Sequence, residues 1–280
     1  MIGSFLIFLR EGIEGTLIAA IILTYLTAGG RRDLFRWVFA GAAIAVGGAA
    51  IVGSIHYAAR TEFVGSDAQT WFETATFALA VVVLTYMTFW MKRHARRLSS
   101  EIKEGIDQAL AGHQGSGVAL MVLALVTVGR EALETAIFVV AIAFKSSSFE
   151  LGLGAALGLA VALAISFGIY KMGLRINLGR FFTAVGAALM VVAAGLLVNL
   201  IQNLQELGVI GSLPGLSRRL WDTSAVIPQE SVLGDILHGL VGYAASPTAL
   251  QVIAYIAFLA IGLTFFLRRP RTQAAKTAAR

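Results

Sequence analysis

Arg10-Glu11-Gly12-Ile13-Glu14 interrupts an apolar run that begins at Ile2 and continues to about Leu26. A charged residue at the centre of a membrane helix costs about 2.5 to 3.5 kcal/mol on insertion scales, so these three cost roughly 8 to 10. The thirteen Ile, Leu and Phe residues between Ile2 and Leu26 return about 0.3 to 0.6 kcal/mol each, roughly 4 to 8 together. A helix here cannot face lipid on all sides. Its charged stripe has to lie against other helices or a wet cavity, which makes it a functional-site hypothesis by default.

Apolar residues make up 58% of the 280 and charged residues 14%, with a mean hydropathy of +0.80. Soluble domains carry about 25% charged residues, so the chain is a polytopic membrane protein. There is no cysteine, which removes disulfides and thiolate metal sites. The net charge of +6 does not indicate nucleic acid, because the basic residues collect in short loops and the tail as juxtamembrane anchors do. The N-terminus lacks the basic start of a cleaved signal, and Arg10 and Glu11 break what would be its apolar core; the first helix is expected to be retained.

Spans are expected at about 2–28, 36–58, 71–91, 117–144, 150–170, 181–203 and 249–267. Arg31, Arg32 and Arg36 lie in loop one; Lys92, Arg93, Arg96, Arg97 and Lys103 in loop three; Lys171, Arg175 and Arg180 in loop five; Arg268, Arg269, Arg271, Lys276 and Arg280 in the tail. Loops two and four offer little beyond Arg60 and Lys145. The positive-inside rule then places the odd loops and the C-terminus in the cytoplasm and the N-terminus outside. Loop three, Glu101 to Gly117, reads as a short charged helix and a Gly-Ser stretch with no chemistry assigned. The long outer loop, about 204–248, mixes turn formers at Pro214-Gly215 and Pro228 with an apolar stretch, Ile236 to Tyr243; it reads equally as a solvated loop with one interfacial helix and as a segment that docks back on the membrane or receives a partner.

The opening motif recurs in the fourth span as Arg130-Glu131-Ala132-Leu133-Glu134, 120 residues on. On a soluble helix Arg-Glu-x-x-Glu is usually a solvated face with an i,i+4 pair, but both copies lie inside apolar spans. The first span runs inward and the fourth outward, so spans one to three and four to six form halves of opposite topology, as in inverted-repeat transporters with midplane sites. A weaker echo pairs Phe72-Glu73-Thr74-Ala75 with Phe181-Phe182-Thr183-Ala184. The expected architecture is an all-α integral membrane protein with seven transmembrane helices, an inverted 3+3 repeat plus one C-terminal helix. It forms a single domain over 1–280: repeat one at about 1–92, repeat two at about 117–204, the outer loop at about 204–248, helix seven at about 249–267, and a cytoplasmic tail at 268–280.

At about 100° per residue, each motif puts its Arg and two Glu on one stripe roughly 100° wide. If the stripes face each other, Glu11, Glu14, Glu131 and Glu134 converge with Arg10 and Arg130 beside them. Carboxylates suit hard cations such as Ca²⁺, Mg²⁺, Mn²⁺ and ferric iron. Four Glu and two Arg sum to −2, leaving zero with a divalent ion and +1 with a trivalent one. The arginines are read as tuning charges that keep the acids ionised and the ion releasable. A membrane di-iron oxidase would use Glu-x-x-His pairs, and no His follows either motif at that spacing. His56, His94, His113 and His238 sit near helix ends or in loops, where interfacial or structural roles are favoured over metal gathering by the first and last. A proton relay needs only one acidic stripe.

The paired intramembrane motifs resemble the oxidase-dependent iron permease family, closest to the permease subunit of the bacterial ferrous iron uptake system. Phe72-Glu73, Phe89-Trp90-Met91 and Leu204-Gln205-Glu206 add to the likeness, which covers about 1–267. The resemblance implies high-affinity iron import across the plasma (inner) membrane by a transporter rather than an enzyme. Iron is then the transported substrate and not a cofactor, oxidised outside by a partner protein and delivered as Fe(III), with extracytoplasmic iron-binding proteins as further partners. It also implies Glu11, Glu14, Glu131 and Glu134 as iron ligands, Glu73 as a secondary carboxylate on the way in, and Glu206 as a weaker candidate. Where the resemblance would often put an ionisable pair before this stretch, this chain has Gln202 and Asn203, which argues against an accessory site at the end of helix six. The alternatives are a divalent cation permease (Fe²⁺, Mn²⁺, Mg²⁺) and a membrane metal oxidoreductase; homo-oligomerisation is left open.

Overall fold

In lipid every backbone N–H and C=O has to be satisfied within the chain, and long apolar helices achieve this locally. The computed structural model describes residues 1–62, 67–94, 98–111, 115–144, 147–172, 178–210, 215–228, 231, 234, 237 and 243–268. Among them are eight α-helices and no strand: α1 (Ile2–Ala28), α2 (Phe35–Glu62), α3 (Asp67–His94), α4 (Leu98–Ala111), α5 (Ser116–Ala143), α6 (Ser148–Met172), α7 (Leu178–Glu206) and α8 (Ala249–Leu267). One long helix lies over each of the seven expected apolar stretches, the fourth ending at Ala143. Six helices, α2, α3, α5, α6, α7 and α8, are long and apolar enough to cross a membrane among the described residues. The first helix is as long but carries Arg10, Glu11 and Glu14.

Helix ends follow local chemistry. The first helix stops where Gly30 takes φ +70°, a left-handed conformation that only glycine adopts without penalty. Gly30 N–H then donates to Thr27 O at 3.1 Å and Arg31 N–H to Leu26 O at 2.8 Å, the two bonds of a Schellman end. At the start of α8, Thr248 and Gln251 form a reciprocal capping box.

Packing sorts the helices into a centre and a rim. Ile7, Phe77, Leu84, Phe138, Val185, Leu189 and Leu196 make one buried cluster joining α1, α3, α5 and α7. The first and fifth helices are antiparallel, since Ile7 clusters with Phe138 while Ile22 clusters with Leu120. The second, sixth and eighth helices lie outside and expose apolar residues such as Ile51, Val161 and Ile256, a surface suited to acyl chains.

Two close approaches fix the rim. A Cβ at Gly158 of α6 would stand 2.5 Å from the Phe5 carbonyl oxygen of α1, and one at Gly41 of α2 would stand 2.2 Å from the Met121 carbonyl oxygen of α5. Small residues let membrane helices meet backbone to backbone. Thus α6 lies along α1, α2 lies along α5, and α3 lies along α7.

The expected short helix of loop three is α4. Ile102, Ile106 and Ala109 recur at helical spacing and are buried against Ile18, Ile22 and Leu26 of α1 and Leu120 and Ala124 of α5. Tyr25 donates to Asp107 at 2.5 Å. Between α7 and α8, Thr223 N–H donates to Ala245 O at 2.8 Å and Ala249 N–H to Arg218 O at 3.0 Å, tying residues 215–228 to the start of α8. The readings placed on Arg96, Arg97, Lys145, Arg175, His113, His238, Pro214, the Gly-Ser stretch, most of 236–243 and the tail after 268 lie outside the described residues, as do the side chains of His56, Arg60 and Lys171.

Candidate metal centre

The two motifs sit on α1 and α5 at facing levels of the antiparallel pair. Arg10 (2% exposed), Glu11 (6%) and Glu14 (1%) are buried, as are Glu131 and Glu134. Each arginine pairs within its own helix: Arg10 Nε donates to Glu14 Oε1 at 2.9 Å, and Arg130 Nε to Glu134 Oε1 at 3.0 Å. Arg10 Nη1 also lies 3.4 Å from Glu11 Oε1. This i,i+4 geometry is the ordinary helical ion pair, moved from water into a bundle.

Across the interface, Glu11, Glu14 and Glu131 each offer one carboxylate oxygen, and these three atoms lie within 4.8 Å of one another. Among the described residues neither oxygen of Glu11, nor Oε2 of Glu131 or Glu134, accepts a hydrogen bond. Buried carboxylate oxygens left without donors are costly, and a hard cation would satisfy several at once. Three Glu and Arg10 sum to −2, so a divalent ion neutralises the cluster.

Glu134 is not among the three clustered acids. It faces a cavity of about 400 Å³ lined by Val83, Tyr86, Met87, Trp90, Arg130 and Glu134. Glu73 is farther away, near the start of α3, where Gln69 Nε2 donates to its Oε1 at 2.9 Å. Along the helix it stands about 21 Å from Met87. Glu206 ends α7 and accepts from Gln202 Nε2 at 2.9 Å.

Gly12, between the motif acids of α1, has a packing reason. A Cβ there would stand 2.8 Å from Ala162 Cβ of α6. The motif helix can therefore lie against α6 only with glycine at this position.

Over residues 1–273 the chain matches the iron permease FTR1 family. This chain belongs to that family. The permease is 33% identical over 98% of both chains to the ferrous iron permease EfeU of Escherichia coli O6:H1. It is 31% identical to that of Yersinia pestis, over 100% of this chain and 98% of the relative. An Escherichia coli K12 relative, 34% identical over 98% of both chains, carries the qualifier inactive in its name. No solved structure matches the permease. Family membership together with six membrane-capable helices makes it a multi-pass membrane transporter.

Two residues beside the motifs went unassigned in the sequence. Met87 Sδ lies 3.1 Å from Arg130 Nη2, and the Arg130 guanidinium carbon sits 4.0 Å from the Trp90 ring centroid. A tryptophan near the end of a span ordinarily reads as an interfacial anchor, and no spacing rule ties it to a motif on another helix.

Proposed function

We propose that this permease imports iron across the plasma membrane by passing the ion through the carboxylates of Glu11, Glu14 and Glu131, with Glu134 as the fourth acid on the cavity side. The observation that carries this reading is the buried three-oxygen cluster, assembled from two antiparallel helices beside Arg10. Carboxylate oxygens favour hard ions, and a cluster charge of −2 balances a divalent ion while leaving +1 with Fe(III), a state from which release is easier. Arg10 and Arg130 act as the tuning charges. Iron is the cargo here, not a resident cofactor.

The first helix is the seventh span, its charged stripe turned inward. Helices α1 to α3 and α5 to α7 form an inverted repeat within one domain. An exchange of partners supports this: the first helix of each half lies along the second helix of the other, while the third helices pair together. Lys and Arg in the odd loops and the tail put the C-terminus in the cytoplasm and the N-terminus outside. Glu73 then stands toward the outer mouth, where an external iron-oxidising partner delivers Fe(III).

Proteoliposomes given Fe(III), Fe(II), Mn²⁺ and Mg²⁺ separately test the reading. Iron accumulating inside at the expense of the others is the expected result. Iron turned over between redox states without crossing would assign a metal oxidoreductase instead, and equal transport of all the divalent ions a general cation permease.

A further inference from the structure

The two motifs are chemical copies, yet their arginines have different surroundings. Arg10 is sealed, with a side chain 3% exposed, whereas the Arg130 side chain is 38% exposed on the wall of the 400 Å³ cavity. Its guanidinium lies over the Trp90 ring at 4.0 Å and against Met87 Sδ at 3.1 Å. Trp90 in turn stacks on His94, with ring centroids 4.5 Å apart and planes 13° from parallel, and the His94 Nδ1 lies 2.9 Å from the Trp90 carbonyl oxygen. The result is a ladder, Arg130 over Trp90 over His94, running from the acid site to the basic end of α3.

Among the described residues the counterpart arginine, Arg10, has no such ladder. The echo between Phe72-Glu73-Thr74-Ala75 and Phe181-Phe182-Thr183-Ala184 sets Asn199 opposite Trp90, and asparagine offers no aromatic face. In the orientation proposed above, the ladder and its cavity lie on the cytoplasmic side of the acid cluster.

We propose that Trp90 is a positioning residue for transport: its ring holds the Arg130 guanidinium on the cavity wall, so that the free oxygens of Glu131 and Glu134 stay open to the cation. This rests on the iron-permease reading and deepens it. The competing arrangement is plain from the geometry. Arg130 Nε is engaged by Glu134 Oε1, while Oε2 of Glu134 and Oε2 of Glu131 accept no hydrogen bond among the described residues. A guanidinium released from the ring turns its free N–H groups onto those oxygens, because a buried carboxylate attracts the nearest donor. It then competes with the cation for the same ligands. A cation–π contact of this kind, partly desolvated, is worth roughly a 3- to 30-fold bias in the position of the arginine.

A double-mutant cycle in proteoliposomes tests this, with radiolabelled iron uptake as the readout. Trp90→Leu should raise the half-saturating iron concentration about 3- to 30-fold with a smaller change in maximal rate, and Trp90→Phe, which keeps an aromatic face, should fall between it and the wild type. In an Arg130→Gln background Trp90→Leu should change nothing further, because no guanidinium is left to hold. Trp90→Met provides the same cycle should the leucine variant fail to reach the membrane. An equal shift in both backgrounds, or no shift in either, overturns the role of Trp90. Absence of iron uptake by the wild-type protein would instead overturn the permease reading.

Discussion

Glu14 and Glu131 each hold a buried carboxylate oxygen within 4.8 Å of the other, on helices that run in opposite directions. Neither acid has a use in lipid alone. Together with Glu11 they make a three-oxygen site whose only close positive charge from α1 is Arg10.

The two arginines should respond differently to removal. Arg10→Met leaves three buried carboxylates without their counter-charge, and breaking a buried pair costs about 3 to 5 kcal/mol. The Arg130 side chain is 38% exposed on the cavity wall, so water can replace part of what it gives Glu134 and its removal costs less than that of a fully buried partner. The thermal midpoint of the iron-free protein in detergent should therefore drop far more for Arg10→Met than for Arg130→Met, and iron should restore part of the loss. Equal drops would argue against the sealed role of Arg10.

Helix packing gives a sharper structural contrast. Gly158→Ala directs a methyl group at the Phe5 carbonyl oxygen, 2.5 Å away, where backbone must shift; overpacking of this kind costs roughly 1 to 3 kcal/mol. Gly47→Ala on α2 meets nothing within 4 Å and should be neutral, or stabilising by up to about 1 kcal/mol from helix propensity. Thermal unfolding of both purified variants checks the pair. A Gly158→Ala protein as stable as wild type would contradict the close contact of α1 with α6.

Orientation is directly accessible because the chain has no cysteine. Single-cysteine variants therefore report without background. Ser224→Cys in the outer loop should react with a membrane-impermeant maleimide in intact cells, whereas Asp33→Cys after α1 should react only after permeabilisation. The opposite pattern would invert the proposed topology.

Much of this arrangement is written locally, and some of it is not. The long helices follow from runs of apolar residues, since only a helix satisfies its own backbone in lipid. Ile102, Ile106 and Ala109 likewise announce the buried face of α4 by their spacing, although their partners on α1 and α5 do not follow from it. The convergence of the two motifs was legible from their recurrence in helices of opposite direction. Its inequality was not: Glu134 turns to the cavity while Glu131 joins Glu11 and Glu14, a distinction set by how α3 lies against α5. Gly12 read as a spacer between acids, and only the proximity of Ala162 reveals it as a packing requirement. Met87 carried no signal, and Trp90 entered only through the Phe89-Trp90-Met91 likeness, because their partner Arg130 belongs to a separate helix.

Removing one proposed ligand from either helix tests the shared site most directly. Radiolabelled iron uptake should be followed in proteoliposomes containing wild type, Glu14→Gln or Glu131→Gln, at matched amounts of correctly folded protein. Both single variants should lose uptake, and each purified variant should also lose equilibrium iron binding, because the amide supplies no anionic oxygen to the shared ion. Uptake and binding that persist unchanged in either variant would contradict a carboxylate site shared between α1 and α5.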